Sequence, residues 1–247
     1  MDRRQLLKGF AGLALCPLCA TPGFGQDHDW SYSNPGAWPG VCSSGKAQSP
    51  IDIGTTSPAK LPALDIAWSR SADAIVNNGH TIQLDFRSGG TLTVGNNTYT
   101  PLNQFHFHRP SEHTIGGQGS AMELHFVHNY PTRTAVIGVL MRSGKPNPTF
   151  ATIVKSMPKK AEVPPHGQKP KGVVIAGVNP AALLPARRSY YRYTGSLTTP
   201  GCTEGVAWML MTDPIEVAAA DIAEFAKLYA NNARPARKDS RKVERSG

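Results

Sequence analysis

The run Gln104-Phe-His-Phe-His108 sets two imidazoles at alternate positions, and Glu123-Leu-His-Phe-Val-His128 adds a third at His125. An extended strand points successive side chains to opposite faces, so Gln104, His106 and His108 share one face while Phe105 and Phe107 take the other. On the second run Glu123, His125 and Val127 share a face. His128, an odd number of residues from His125, does not. If the two strands pair, three imidazoles converge on one point, each with a polar neighbour available to orient it. Three neutral histidines with no fourth protein ligand make an open zinc site, one coordination position being left for water. Carboxylate or thiolate donors would suit other metals better, and beyond Glu112 and Glu123 none is evident. The competing reading is a set of hydrogen-bonded core histidines, and on these two runs alone both stand.

Such residues need strands to position them. From Ile75 onward, short alternating stretches are broken by Gly, Asn and Ser, which predicts antiparallel strands over 81–86, 91–94, 102–108, 121–128, 135–141, 190–193 and 206–211. Helix is scarce. One short helix is expected over 150–156, and a second over 215–231, where Ile222, Phe225, Ala226 and Tyr229 share a face, with Asp213 as its cap and Pro214 in its first turn. The proline-rich stretch 157–170 reads as a surface loop between strands within one domain, and His166 in it as simply solvated.

Composition agrees. With 247 residues, 40% of them apolar, the chain has material for a real core. Gly 24 and Pro 21 with only 17% charged residues argue against a coiled coil or helical array and for strands and turns. The formal charge of +9 excludes little, because much of it is terminal: Arg234, Arg237, Lys238, Arg241, Lys242 and Arg245 face only Asp239 and Glu244. A nucleic-acid partner would need bases gathered with aromatics or a readout element, and no such segment occurs, so the excess is assigned to solvated surface.

The start of the chain reads as an address. Arg3 and Arg4, two apolar residues and Lys8 precede an apolar run over 9–20, then small residues at Gly23 and Gly25. This order fits an export signal over 1–25, close to the twin-arginine pattern, with cleavage near Gly25. The run is too short, and interrupted by Pro17, for a membrane span. Its removal takes three bases and one acid, and with them Cys16 and Cys19. Cys42 and Cys202 are then the remaining cysteines in a chain bound for a periplasmic or secreted, oxidising space, where a disulfide is expected.

Taken together, Gln48-Ser-Pro-Ile-Asp-Ile53, Asn77-Asn-Gly-His80, the runs at 104–108 and 123–128, Ser111-Glu-His-Thr114, Gly195-Ser-Leu-Thr-Thr-Pro200 and Asn232-Ala-Arg-Pro235 resemble, in order and across most of the chain, the α-class carbonic anhydrases. The resemblance implies a mainly β (α+β) fold: one catalytic domain over 26–247, built on a large, twisted, mostly antiparallel central sheet with a few short peripheral helices. It implies reversible hydration of carbon dioxide to bicarbonate and a proton by hydroxide on a Zn2+ held by His106, His108 and His125; such zinc brings its water to a pKa of about 7, a value for which this enzyme class is itself the standard example. It also implies roles for the neighbours. Thr198 would accept a hydrogen bond from the hydroxide and donate one to Glu112, which requires that carboxyl to be ionised. Gln104, Glu123 and the carbonyl of Asn232 would orient His106, His125 and His108. Val127, Val136, Leu197, Thr199 and Trp208 would form the wall against which CO2 docks. His80 would carry the proton out, its ordinary pKa near 6.5 suiting that task, through waters ordered by Tyr32, Asn78 and Gln83. His28, His113 and His128 receive no ligand role. Arg109 is expected to point away from the zinc and to affect it little. A monomer or homodimer is expected.

Gly201 stands where a second proline often occurs, which predicts a looser loop around Thr198. The match is weak over 237–247, where Arg241 and Val243 are expected to belong to a last strand followed by loose residues. Two rivals remain. A cupin-like metal oxygenase would share His106, His108 and Glu112 but lacks the downstream motif before His125. A non-enzymatic periplasmic zinc-binding protein would be expected to carry exposed His-rich or acidic loops, which are missing.

Overall fold

In a computed structural model the chain is described from residue 30 onward, apart from residues 131–132, 166–167 and 169. The export signal, its cleavage point, His28 and His166 lie outside the described residues.

Among the described residues, 91–94 lies in Gly90–Val94 of a separate three-stranded sheet, between Leu64–Trp68 and Asn97–Tyr99, and the other alternating segments assemble into a central sheet of eleven strands. Seven of them build the site: β1 (Ala74–Asn77), β2 (Ile82–Asp85), β3 (Gln104–His108), β4 (Met122–Tyr130), β5 (Arg133–Ser143), β6 (Tyr190–Ser196) and β7 (Glu204–Met211). The sheet runs β1-β2-β3-β4-β5-β7-β6, extended by Val173–Val174 beside β1 and by Glu244–Ser246 and Ser57–Ala59 beyond β6. Most pairs are antiparallel, but β5 pairs with β7, and Glu244–Ser246 with Ser57–Ala59, in parallel. A parallel pair needs a long crossover, and the chain between β5 and β7 supplies it with helix α1 (Pro148–Ser156) and β6.

The period of two decides which side each residue serves. Phe105, Phe107, Leu124 and Phe126 are fully buried on one face, in a core shared with Phe150 and Phe225. Phe150 comes from α1 and Phe225 from α2 (Ala219–Ala226); their rings lie 5.3 and 6.1 Å from that of Phe107. Helices therefore cover the phenyl face, leaving the imidazole face for the pocket. Helix α1 starts two residues earlier than expected, at Pro148, because the Asn147 side chain accepts from the amides of Thr149 and Phe150.

The second helix differs more. Residues 215–217 are a strand, paired in parallel with Met141–Ser143 of β5, and α2 begins only at Ala219, with no side-chain cap. Ile215 and Val217 are buried with the less buried Glu216 between them, the period of two that a strand gives and a helix does not, so the helical pattern starts only further on. Asp213 instead accepts from Arg187 Nε at 2.9 Å. The stretch 157–170 follows a helix rather than a strand. The last residues are not loose either: Glu244–Ser246 pairs with β6, and Gly247 O accepts from Ser189 Oγ.

Cys42 and Cys202 form a disulfide, joining a short helical turn, Val41–Ser44, to the loop after Thr199. No helix among the described residues is long and apolar enough to cross a membrane.

Candidate metal centre and its pocket

Register brings the imidazoles together. His125 stands directly opposite His106 on the antiparallel pair β4–β3, and Glu123 opposite His108. The ring centroids of His106, His108 and His125 lie 4.6–5.3 Å apart, and one nitrogen from each comes within 4.8 Å of the others.

Each ring is held from behind by an oxygen. His106 Nδ1 donates to Gln104 Oε1 at 2.7 Å, His108 Nδ1 to the Asn232 carbonyl at 2.8 Å, and His125 Nε2 to Glu123 Oε1 at 2.8 Å. A proton on those nitrogens leaves a lone pair on the other, namely His106 Nε2, His108 Nε2 and His125 Nδ1. His108 Nε2 is buried with no partner among the described residues, an orphaned acceptor of the kind a cation would satisfy. Burial holds all three imidazoles below the ordinary histidine range, His108 at about 4, so they are neutral, the state in which histidine ligates metal. The donor set fits zinc.

Two buried carboxyls flank the rings with opposite tendencies. Burial acts most strongly on Glu123 and would raise it, but His113 and His125, by charge and hydrogen bond, together hold it well below the usual carboxylate range. Its Oε2 also accepts from the amides of Glu112 and His113 at 2.9 and 2.8 Å. Burial pushes Glu112 up to about 7, against the lowering effects of His125, the Arg234 amide and Thr198. Arg234 N donates to Glu112 Oε1 at 2.8 Å; Oε2, although Thr198 is near enough to lower the group, has no partner of hydrogen-bond geometry among the described residues.

In front of the rings opens a cavity of about 160 Å³. Val127, Val136, Leu197 and Trp208 line its apolar wall, Thr198 and Thr199 lie on the same side, and Tyr32, Asn78, His80 and Gln83 line the polar wall. His108 and Glu112, both buried, sit behind this surface. The turn bearing His80 is shaped by Asn78 Oδ1, which accepts from the amides of His80 and Thr81, and by Asn232 Nδ2, which donates to His80 O at 3.0 Å. Every residue expected at the site is therefore in or immediately behind one pocket.

Three neighbours escaped the sequence. Trp30 stacks on His80 with centroids 3.8 Å apart and planes within 7°. His113 bonds Glu123 Oε1 at 2.7 Å and the Tyr193 hydroxyl at 2.6 Å. Arg234, within the motif Asn232-Ala-Arg-Pro235, is 3% exposed rather than solvated, and Arg237 and Arg241 are also partly buried, donating to Cys42 O and to Thr194 O and Gln48 O. Arg109 does point away, donating to Ala230 O. Gly201 lies at φ +93°, which proline cannot adopt, and Cys202 N donates to Thr199 O, so glycine here makes the turn rather than loosening it.

A model of the eukaryotic-type carbonic anhydrases matches residues 26–246. The carbonic anhydrase of Neisseria gonorrhoeae is 38% identical over 90% of both chains. Among solved structures, the α-carbonic anhydrase of Photobacterium profundum superposes with a TM-score of 0.76 at 38% identity, covering 87% of this chain and 100% of that one. That of Thermovibrio ammonificans, in complex with the inhibitor sulfanilamide, gives 0.75 at 39% identity over 83% and 89%. With this fold, and with this extent of identity across it, the chain belongs to the α-class carbonic anhydrases, a family of zinc-dependent enzymes.

Proposed function

We propose that the chain hydrates CO2 reversibly to bicarbonate and a proton at a zinc ion held by His106 Nε2, His108 Nε2 and His125 Nδ1. The observation that carries this reading is the convergence of those three nitrogens, each ring anchored from behind, at the floor of a half-apolar pocket. Bound zinc would supply a Lewis acid that brings a water to a pKa of about 7, the value familiar for this enzyme class. The chain's own residues do the rest. Thr198 would give its hydroxyl hydrogen to Glu112, whose carboxyl, raised by burial to about 7, accepts it only when ionised, and would so keep a lone pair to accept from the attacking water and aim that oxygen. Val127, Val136, Leu197 and Trp208, with Thr199 beside them, offer a linear apolar molecule a dry surface. Gln104, Glu123 and Asn232 O hold the tautomer of each ligand. His80 takes the released proton to buffer, with Tyr32, Asn78 and Gln83 ordering the path.

The arginine pair and apolar run of residues 1–25, together with the Cys42–Cys202 disulfide, support export of a mature 26–247 chain to an oxidising compartment.

Indicator-monitored CO2 hydration by the wild-type protein should be rapid, abolished by a zinc chelator and lost in His106→Ala. Equal rates in all three samples would overturn the reading. His80→Ala should slow turnover in weak buffer and recover with added imidazole; no recovery would remove the shuttle role.

A further inference from the structure

Glu112 and Thr198 come from distant parts of the chain, and one short segment, Gln48-Ser49, is hydrogen-bonded towards both, beside further ties from Arg237 to Pro50 O and Cys42 O and from Arg241 to Gln48 O. On one side, Gln48 Nε2 donates to Cys202 O at 3.0 Å, and Ser49 exchanges hydrogen bonds with Ser196, its amide donating to Ser196 Oγ at 2.8 Å and its Oγ accepting from the Ser196 amide at 3.0 Å. These contacts bracket Thr198 from both ends of its loop. On the other side, Arg234 Nη1 donates to Gln48 Oε1 at 3.0 Å and to Ser49 O at 2.7 Å, and Nη2 to Cys42 O at 2.9 Å. All three acceptors are neutral. A buried guanidinium spread over such oxygens is a geometric fork rather than half of an ion pair.

The backbone beside that fork touches the site twice. Arg234 N donates to Glu112 Oε1, and two residues earlier Asn232 O receives His108 Nδ1. Asn232 has anchors of its own: its Oδ1 accepts from Arg109 N at 2.8 Å, and its Nδ2 donates to Phe107 O at 2.9 Å. The His108 support therefore stands without the guanidinium. The Glu112 support rests on an amide whose own side chain is that fork.

We propose that Arg234 is a positioning residue: its guanidinium ties the backbone that holds Glu112 to the same Gln48-Ser49 segment that brackets Thr198, and so sets the spacing of the pair. This rests on the reading of Thr198 and Glu112 given above. Shape would be lost without loss of metal, because no zinc ligand depends on the fork.

The test is a double-mutant cycle read as kcat/KM for CO2 hydration, with zinc content measured for each protein and folding confirmed by circular dichroism at the assay temperature. Arg234→Met should keep stoichiometric zinc and lose about 10- to 100-fold in kcat/KM. On the Thr198→Ala background the same change should cost less than about 3-fold, since the orientation it serves is already gone. Equal losses on the two backgrounds, no loss on the wild type, or loss of zinc along with activity would each overturn the proposal. A merely structural role predicts equal losses. If Arg234→Met does not fold, Arg234→Lys carries the same cycle: it keeps the charge but not the fork, so a smaller loss, again confined to the Thr198 background, is expected. Wild-type rates in Arg234→Lys would overturn the proposal. Thr198→Ala at the wild-type rate would instead remove the underlying reading of the site, an outcome distinct from additive losses.

Discussion

Two clusters of ligand-type atoms share His125, each with its atoms within 4.8 Å of one another: His106, His108 and His125 on one side, and His113, Glu123 and His125 on the other. All their members are buried except His106, which is half-buried where it lines the pocket. They differ in where the hydrogen bonds go. In the first, each ring gives one nitrogen to an oxygen outside the cluster and turns the other inward, so lone pairs face lone pairs. In the second, the members bond one another: Glu123 Oε1 receives both His113 and His125, Oε2 receives two amides, and the remaining His113 nitrogen meets the Tyr193 hydroxyl. A closed net of this kind leaves no lone pair aimed at a shared cation. Proximity alone does not separate a metal site from a structural network; the destination of each ring's other nitrogen does.

Substitutions on the two sides should therefore differ in kind. The largest contrast pairs His108→Ala with His113→Phe. The first should abolish stoichiometric zinc by elemental analysis and lower CO2 hydration by at least about 1000-fold, because an open three-ligand site cannot lose one and stay a site. The second should keep its zinc while the protein loses roughly 3 kcal/mol by denaturant unfolding, since it strips the ring donor from a buried carboxylate and leaves the Tyr193 hydroxyl with Ser49 Oγ as its remaining partner. Zinc loss in both would erase the distinction. Glu123 belongs to the second cluster but holds the shared His125, so Glu123→Gln should fall between them: zinc affinity down about 10- to 100-fold, measured by competition with a chelator, because the amide no longer secures the His125 tautomer as a carboxylate does.

This contrast also marks how far the sequence could be read. His106, His108 and His125 were legible because a strand's period of two is strict, and the phenyl side chains interleaved with them named the opposite face. His113 lies in the turn between β3 and β4, where no period applies, so its bond to Glu123 depends on how the loop folds back. Arg234 belongs to the motif Asn232-Ala-Arg-Pro235, but its depth, set by the fold around Gln48 and Cys42, is not written in the run of bases it shares with five others. Ile215 and Val217 show a period of two, but over three residues it is too short to stand out against the longer helical pattern that follows, and the pairing with Met141–Ser143 that makes it a strand is far away in the chain.

The smallest effect on activity is expected at His128, three residues from His125 on the same strand and facing the phenyl side. Its Nε2 accepts from Trp68 Nε1 at 2.9 Å, and burial lowers it from 6.5 to about 4, opposed by the nearby carbonyls of Pro101 and Tyr99. A lone buried histidine of this kind resembles His108 in burial and acidity, yet no second lone pair faces it. Its pH signature is a matter of stability. Between about pH 6.5 and 4 the unfolded chain binds a proton at this position and the folded chain does not, so stability contributed by the neutral ring is complete above pH 6.5 and lost as pH falls, by up to about 1.4 kcal/mol per unit. His128→Gln keeps an acceptor for Trp68 but does not titrate. It should leave zinc content and CO2 hydration unchanged at neutral pH while losing less stability than the wild type between pH 6.5 and 4.5, as measured by urea unfolding. Parallel losses in the two proteins would mean that this ring is not held neutral by the fold, and the resemblance to His108 would then be superficial in acidity as well as in function.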